Sequence, residues 1–196
     1  MFRKLSLKII AVIGISLAIT AVCLAFTLLT KEQAIKEVFW SGAEIQTETK
    51  ELTGDTLERI KKRLGGSLEY YQEGSESVQV EAETTIDFHF GVKDGERKGV
   101  AIIDTEPGKW GPVEFITAMD LKGTVKAVKV MAYMEQRGRP IARSSFMNQY
   151  RGKSSSSPLE VGKDITGISG ATISSRSATF SVKKAIVIYE EVYLRK

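Results

Sequence analysis

The chain has 196 residues, with one cysteine, one histidine and 28 basic against 24 acidic side chains. One cysteine excludes an intramolecular disulfide and a cysteine-ligated cluster, and one histidine excludes a multi-histidine zinc or haem site. Four of the basic residues (Arg3, Lys4, Lys8 and Lys31) flank an apolar run, so the remaining 24 balance the 24 acids and leave no nucleic-acid footprint.

That run, Ile9 to Leu29, is uncharged without a break. A helix of this length spans about 30 Å of hydrocarbon, and the run exceeds the roughly 7–15 residues of a signal-peptide core. Cys23 lies within it, where burial in lipid disfavours a reactive thiolate. The reading is an uncleaved transmembrane anchor over residues 1–30, meeting membrane lipid through residues 9–29. Positive residues ahead of the span favour a cytoplasmic N-terminus and a body on the extracytoplasmic, periplasmic side of the cytoplasmic membrane.

Residues 31–66 read as a juxtamembrane helical segment. Ala34, Ile35, Val38 and Phe39 form one apolar patch at helical spacing, with Trp40 near the expected interface. Gly42 to Thr53 is polar, extended or a linker. A second helix opens at Thr53-Gly54-Asp55, carries Leu57, Ile60 and Leu64 on one side and ends at Gly65-Gly66.

From Ser67 the period changes to two. Val78 and Val80 alternate with polar residues, and Ile86, Phe88, Phe90 and Val92 alternate with Asp87, His89 and Gly91. Lys93-Asp94-Gly95-Glu96 is a hairpin turn into Val100–Ile103, followed by strands at Phe115–Met119 and Val125–Met134 around a turn at Asp120–Gly123. His89 falls opposite the apolar face of its strand and reads as solvated or at an edge. The pattern predicts an α+β domain over residues 67–196, a largely antiparallel sheet with flanking helices, behind the N-terminal transmembrane helix.

Met134 to Ile141 reads as a strand end and a Gly-Pro turn, with Arg137, Arg139 and Arg143 on a basic surface. Ser154–Pro158 reads as a loop. The most informative stretch is Asp164-Ile165-Thr166-Gly167-Ile168-Ser169-Gly170-Ala171-Thr172-Ile173-Ser174-Ser175. Its small and hydroxyl-bearing residues permit close backbone approach to a ligand. The helix that follows, with Ala178, Val182, Ala185, Tyr189 and Val192 at helical spacing to about Leu194, offers N–H groups and a dipole end suited to phosphate.

Ser169-Gly170-Ala171-Thr172, preceded by Asp164 and followed by Ser174, resembles the flavinylation motif of the FMN-binding domain family. That family includes the C subunit of the sodium-translocating NADH:quinone reductase, the G subunit of the Rnf complex and the extracytoplasmic domain of the nitrous-oxide-reductase regulator. The resemblance covers about residues 68–192. It implies FMN held covalently through a phosphoester on Thr172 Oγ1, placed there by a flavin transferase that uses FAD. By the same resemblance Asp164, Thr166, Gly167, Ser169, Gly170, Ala171, Ser174 and Ser175 would shape the phosphate end, and Glu135 and Gly138 the ring end.

The Glu-Thr-Pro-Gly-Leu-Gly segment of the two named subunits keeps only Glu135 and Gly138 here. The spacing Phe146…Gln149…Gly152-Lys153 is more similar to the single-domain and nitrous-oxide-regulator branches. The expected function is a membrane-anchored electron-transfer flavoprotein, a relay subunit beside other subunits of an Rnf-like or related membrane redox complex rather than a stand-alone catalyst. The other readings are a redox sensor or maturation factor and a docking subunit without flavin.

Overall fold

The computed structural model describes residues 26–70, 82–109, 111–134 and 141–195. Six strands form one antiparallel sheet: β1 (Phe26–Thr27), β2 (Glu44–Glu51), β3 (Thr85–Lys93), β4 (Glu96–Pro107), β5 (Pro112–Met119) and β6 (Val125–Tyr133). Their spatial order is β1-β6-β5-β4-β3-β2, so β3 to β6 form a meander of adjacent strands. The turn expected at Asp94-Gly95 joins β3 to β4. Between β5 and β6 the Asp120 carboxylate accepts the N–H groups of Lys122 and Thr124 at 3.0 and 2.9 Å.

Four helices complete the fold: α1 (Lys31–Val38), α2 (Gly54–Leu64), the short α3 (Ser144–Met147) and α4 (Thr172–Tyr189), which continues into a π turn at Glu190–Leu194. The apolar stripe read along α4 is buried: Ala178, Val182, Ala185 and Tyr189 share the main core with Phe88, Phe90, Val100, Ile102 and Phe115. Ile60 and Leu64 of α2 join the same core. On the other face Ala34 and Ile35 of α1 meet Ala101, Ile116, Ala118 and Met131. Phe39 extends this second layer over the cross-strand pair Gly91 and Gly99, where a Cβ on Gly91 would lie 2.6 Å from the ring.

Several expectations change. Residues 31–66 are not a helical segment apart from the domain, because β2 lies between α1 and α2 and pairs with β3 from Glu44↔Val92 to Glu51↔Thr85. Its residues are mostly exposed, as an edge strand allows. The apolar run does not continue as helix to Leu29: Phe26 and Thr27 pair with Tyr133 and Ala132, and Leu28 and Leu29 donate to the Met131 carbonyl. Residues 1–25 of the expected anchor lie outside the described residues, as do Val78 and Val80. Among the described residues no helix is long and apolar enough to cross a membrane.

His89 is not solvated. It is 2% exposed, on an interior strand between β2 and β4.

Candidate functional site

The loop leading into α4 is folded by its own side chains. The Asp164 carboxylate accepts the Glu160 N–H at 3.0 Å and pairs with Lys153 Nζ at 2.8 Å. Burial pushes this carboxyl up, but Lys153 and the N–H groups of Glu160 and Leu159 hold it below the usual carboxylate range. Two residues on, the Gln149 side-chain amide imitates a neighbouring strand. Its Oε1 accepts the Thr166 N–H at 2.8 Å and its Nε2 donates to the Thr166 carbonyl at 3.1 Å. Gly167 is required by packing, since a Cβ there would meet Val161 Cγ1 at 2.9 Å.

The chain then turns through Gly170, whose φ of +78° suits glycine, into Ala171 at the helix N-cap. Ser175 closes the loop from inside the helix. Its buried Oγ accepts the Ile168 N–H at 3.0 Å and donates to the Ala171 carbonyl at 2.9 Å. One level deeper, Tyr150 Oη and Thr179 Oγ1 lie 2.9 Å apart, and Thr179 Oγ1 donates to the Ser175 carbonyl at 2.8 Å. Ser177 Oγ donates to the Pro107 carbonyl at 2.5 Å, tying α4 to the end of β4.

On this base stands an exposed rim. Ser169, Gly170 and Thr172 are exposed, and Thr172 is the first residue of α4. The helix N-terminus carries no side-chain cap, and its first turn contains no acidic residue. The N–H groups of that turn have no carbonyl partner within the helix, and the positive dipole end faces outward. Beside the rim, between α3 and the loop, a 220 Å³ groove is lined by Arg143, Phe146, Gln149, Thr166, Gly167 and Ile168.

The residues singled out from sequence therefore divide into two groups. Ser169, Gly170, Ala171 and Thr172 form the outward edge. Asp164, Thr166, Gly167 and Ser175 build the loop beneath it, and Ser174 is buried in the first turn. Glu135 and Gly138, expected at the ring end, lie outside the described residues, as do Arg137 and Arg139.

Sequence reasoning missed a buried charge cluster on the α4 side of the sheet. Lys184 Nζ reaches Asp104 Oδ1 at 2.7 Å, contacts Glu106 Oε1 and lies 3.3 Å from the Leu68 carbonyl. Burial and the neighbouring Asp104 push the Glu106 carboxyl up to about 9, so near neutral pH it keeps its proton and the cluster carries no net charge. Burial works against the Lys184 ammonium, but the two acids hold it above its ordinary value. The available signal was the i,i+2 pair of acids on one face of β4 and a lysine within the apolar stripe of α4.

Residues 108–187, from the end of β4 into α4, match the family model of the FMN-binding domain. Over this stretch the chain is similar to the FMN-binding domain family. No curated protein matches it. An FMN-binding domain brings a flavin-binding role in electron transfer, and the matched region contains the whole Thr172 loop, α3 and the groove between them. The fit is consistent with the geometry. The outward rim is free of acids, a helix N-terminus faces it, and Gly170, with open space where a Cβ would stand, leaves little side-chain cover.

Proposed function

We propose that the chain is a membrane-anchored electron carrier that holds FMN through a phosphoester on Thr172 Oγ1. The observation that supports this most directly is the position of Thr172, an exposed hydroxyl at the first residue of an uncapped helix. In attachment, Thr172 Oγ1 attacks the FMN phosphorus of FAD within the flavin transferase. The hydroxyl proton would be lost, the bond from the FMN phosphorus to the bridging oxygen would break, and AMP would leave carrying that oxygen. The first-turn N–H groups and the dipole of α4 would hold the remaining phosphate charge.

The flavin supplies one- and two-electron chemistry when bound. The groove formed by Phe146, Gln149 and Ile168 offers apolar and amide contacts beside the attachment point. Residues 9–25 are near the short end of the roughly 17–25 residues needed to span a bilayer, and the basic residues before them favour an extracytoplasmic domain. Its partners on this reading are the subunits of a membrane redox complex, with the flavin transferase needed for maturation.

The test is intact mass and in-gel fluorescence after denaturation, on chain co-expressed with a flavin transferase. A mass gain of one FMN less water, mapped to Thr172 and lost in Thr172→Val, is the expected result. Denaturation-resistant flavin retained by Thr172→Val would overturn it.

A further inference from the structure

A second site lies away from the flavin loop, where the sheet comes apart. The β3–β4 ladder ends at Phe88↔Ile102. Beyond that point β3 continues to pair with β2 as far as Thr85, and β4 with β5 as far as Pro107. The two strands diverge, and a 420 Å³ cavity opens between them, within the usual size range of small-molecule sites.

Its lining is polar and unbalanced. Lys31 is paired with Asp87 at 3.1 Å, and Lys184 with Asp104 at 2.7 Å, so both cations of the wall are satisfied. Glu114, half-buried in the same wall, makes no ion pair among the described residues. His89 is the decisive group. Its Nδ1 lies 2.8 Å from Thr47 Oγ1, its Nε2 is buried without a hydrogen-bond partner, and the residue lines the cavity. Leaving such an atom unpaired is unfavourable.

We infer that this split is a binding site for a small organic cation bearing N–H donors, an alkylammonium or a guanidinium, which donates to His89 Nε2 and the Glu114 carboxylate. Nδ1–H donates to Thr47 Oγ1 and leaves the Nε2 lone pair for the ligand. An anion is disfavoured because both lysines are already engaged and the uncompensated charge is negative. A metal ion is disfavoured because, among the described residues, no three His, Cys, Asp or Glu side chains are grouped to hold one. The site does not depend on the flavin assignment. The cation is either a free amine or the basic side chain of a partner protein, which share this chemistry.

The sequence has a single histidine, so ¹⁵N-histidine labelling of the full-length chain gives one imidazole reporter. The chain is titrated with n-butylamine, methylguanidinium, butyrate and the peptide acetyl-Gly-Lys-Gly-amide. A saturable Nε2 shift with the two small cations and none with butyrate is expected, together with NOEs from the butylamine methylenes to Ile86 and Ile103. Glu114→Gln weakens binding at least tenfold; the NOEs on the parent chain stand as evidence if that variant does not fold. Tighter binding of the lysine peptide than of butylamine assigns the site to a partner side chain, and the reverse order to a free amine. Absence of a saturable shift with either cation, an equal shift with butyrate, or unchanged affinity in folded Glu114→Gln overturns the inference.

Discussion

The two ends of α4 are finished in opposite ways. At the N-terminus the cap is Ala171, no side chain caps the helix, and an exposed hydroxyl follows. At the C-terminal end, acidic residues stand where the dipole is unfavourable to them, yet every charge is answered. Glu191, almost fully buried, takes Arg59 at 2.8 Å, Arg63 at 3.0 Å and Arg195 at 3.0 Å, and Glu190 takes Arg63 at 2.6 Å. Side-chain electrostatics tie the far end of the helix to α2, through Arg59 and Arg63, and its middle to β4, through Lys184. The near end is held from beneath, by Ser175, Thr179 and Tyr150, and its outer surface remains open. The helix is thus fixed without using the groups needed to receive a ligand.

That contrast can be broken at either end. Thr172→Val should abolish denaturation-resistant flavin entirely, while thermal unfolding of the unmodified chain stays within about 0.5 kcal/mol of the parent, because the lost group is exposed. Lys184→Met should cost roughly 3–5 kcal/mol in urea unfolding, since it leaves Asp104 buried without its cation. Glu191→Gln should cost roughly 3 kcal/mol at pH 7. Burial pushes the Glu191 carboxyl up, but the three arginines hold it below its unfolded value. Its contribution is therefore present above the unfolded value of about 4.3 and lost as pH falls through the lower folded one, so urea melts of parent and variant should converge as the pH is taken below that folded value.

Ser175→Ala should cost about 1–2 kcal/mol by removing the bonds to Ile168 and Ala171. On co-expression with the transferase it should lower flavin occupancy, read by intact mass, without eliminating it. The smallest effect is a gain. Thr172→Asp places a charge at the open dipole end and should stabilise the unmodified chain by about 0.3–1 kcal/mol, measured by thermal unfolding in low salt.

Much of this organisation was readable from local pattern. The period-two run from Ile86 to Val92 and the stripe from Ala178 to Tyr189 form the core because one strand face or helix stripe repeats an apolar residue. The Asp94-Gly95 turn carries its own conformational signature. The Ser169–Thr172 edge was legible for the same reason, as a contiguous segment. What the pattern hid depends on neighbours distant in sequence. β2 carries only Ile45 as a strong apolar residue because an edge strand need not bury a face. His89 was misplaced because a period of two says nothing about what lies against the second face. The Lys184 cluster joins residues about 80 positions apart, and Asp104 and Glu106 alone resemble an ordinary polar strand face.

On the proposed membrane-anchored reading, β1 would set how far the domain can travel. Phe26 to Leu29 lie along the sheet edge, with two residues in register and two further N–H groups on one carbonyl. While they stay there, the chain enters the domain at the rim of β6 with no slack. Four residues peeled from that edge extend at most about 14 Å, at roughly 3.3–3.6 Å per residue. On that reading two ladder pairs would separate a short leash from a longer one, and the radius within which the domain meets a neighbour would be set by the same residues that finish its sheet.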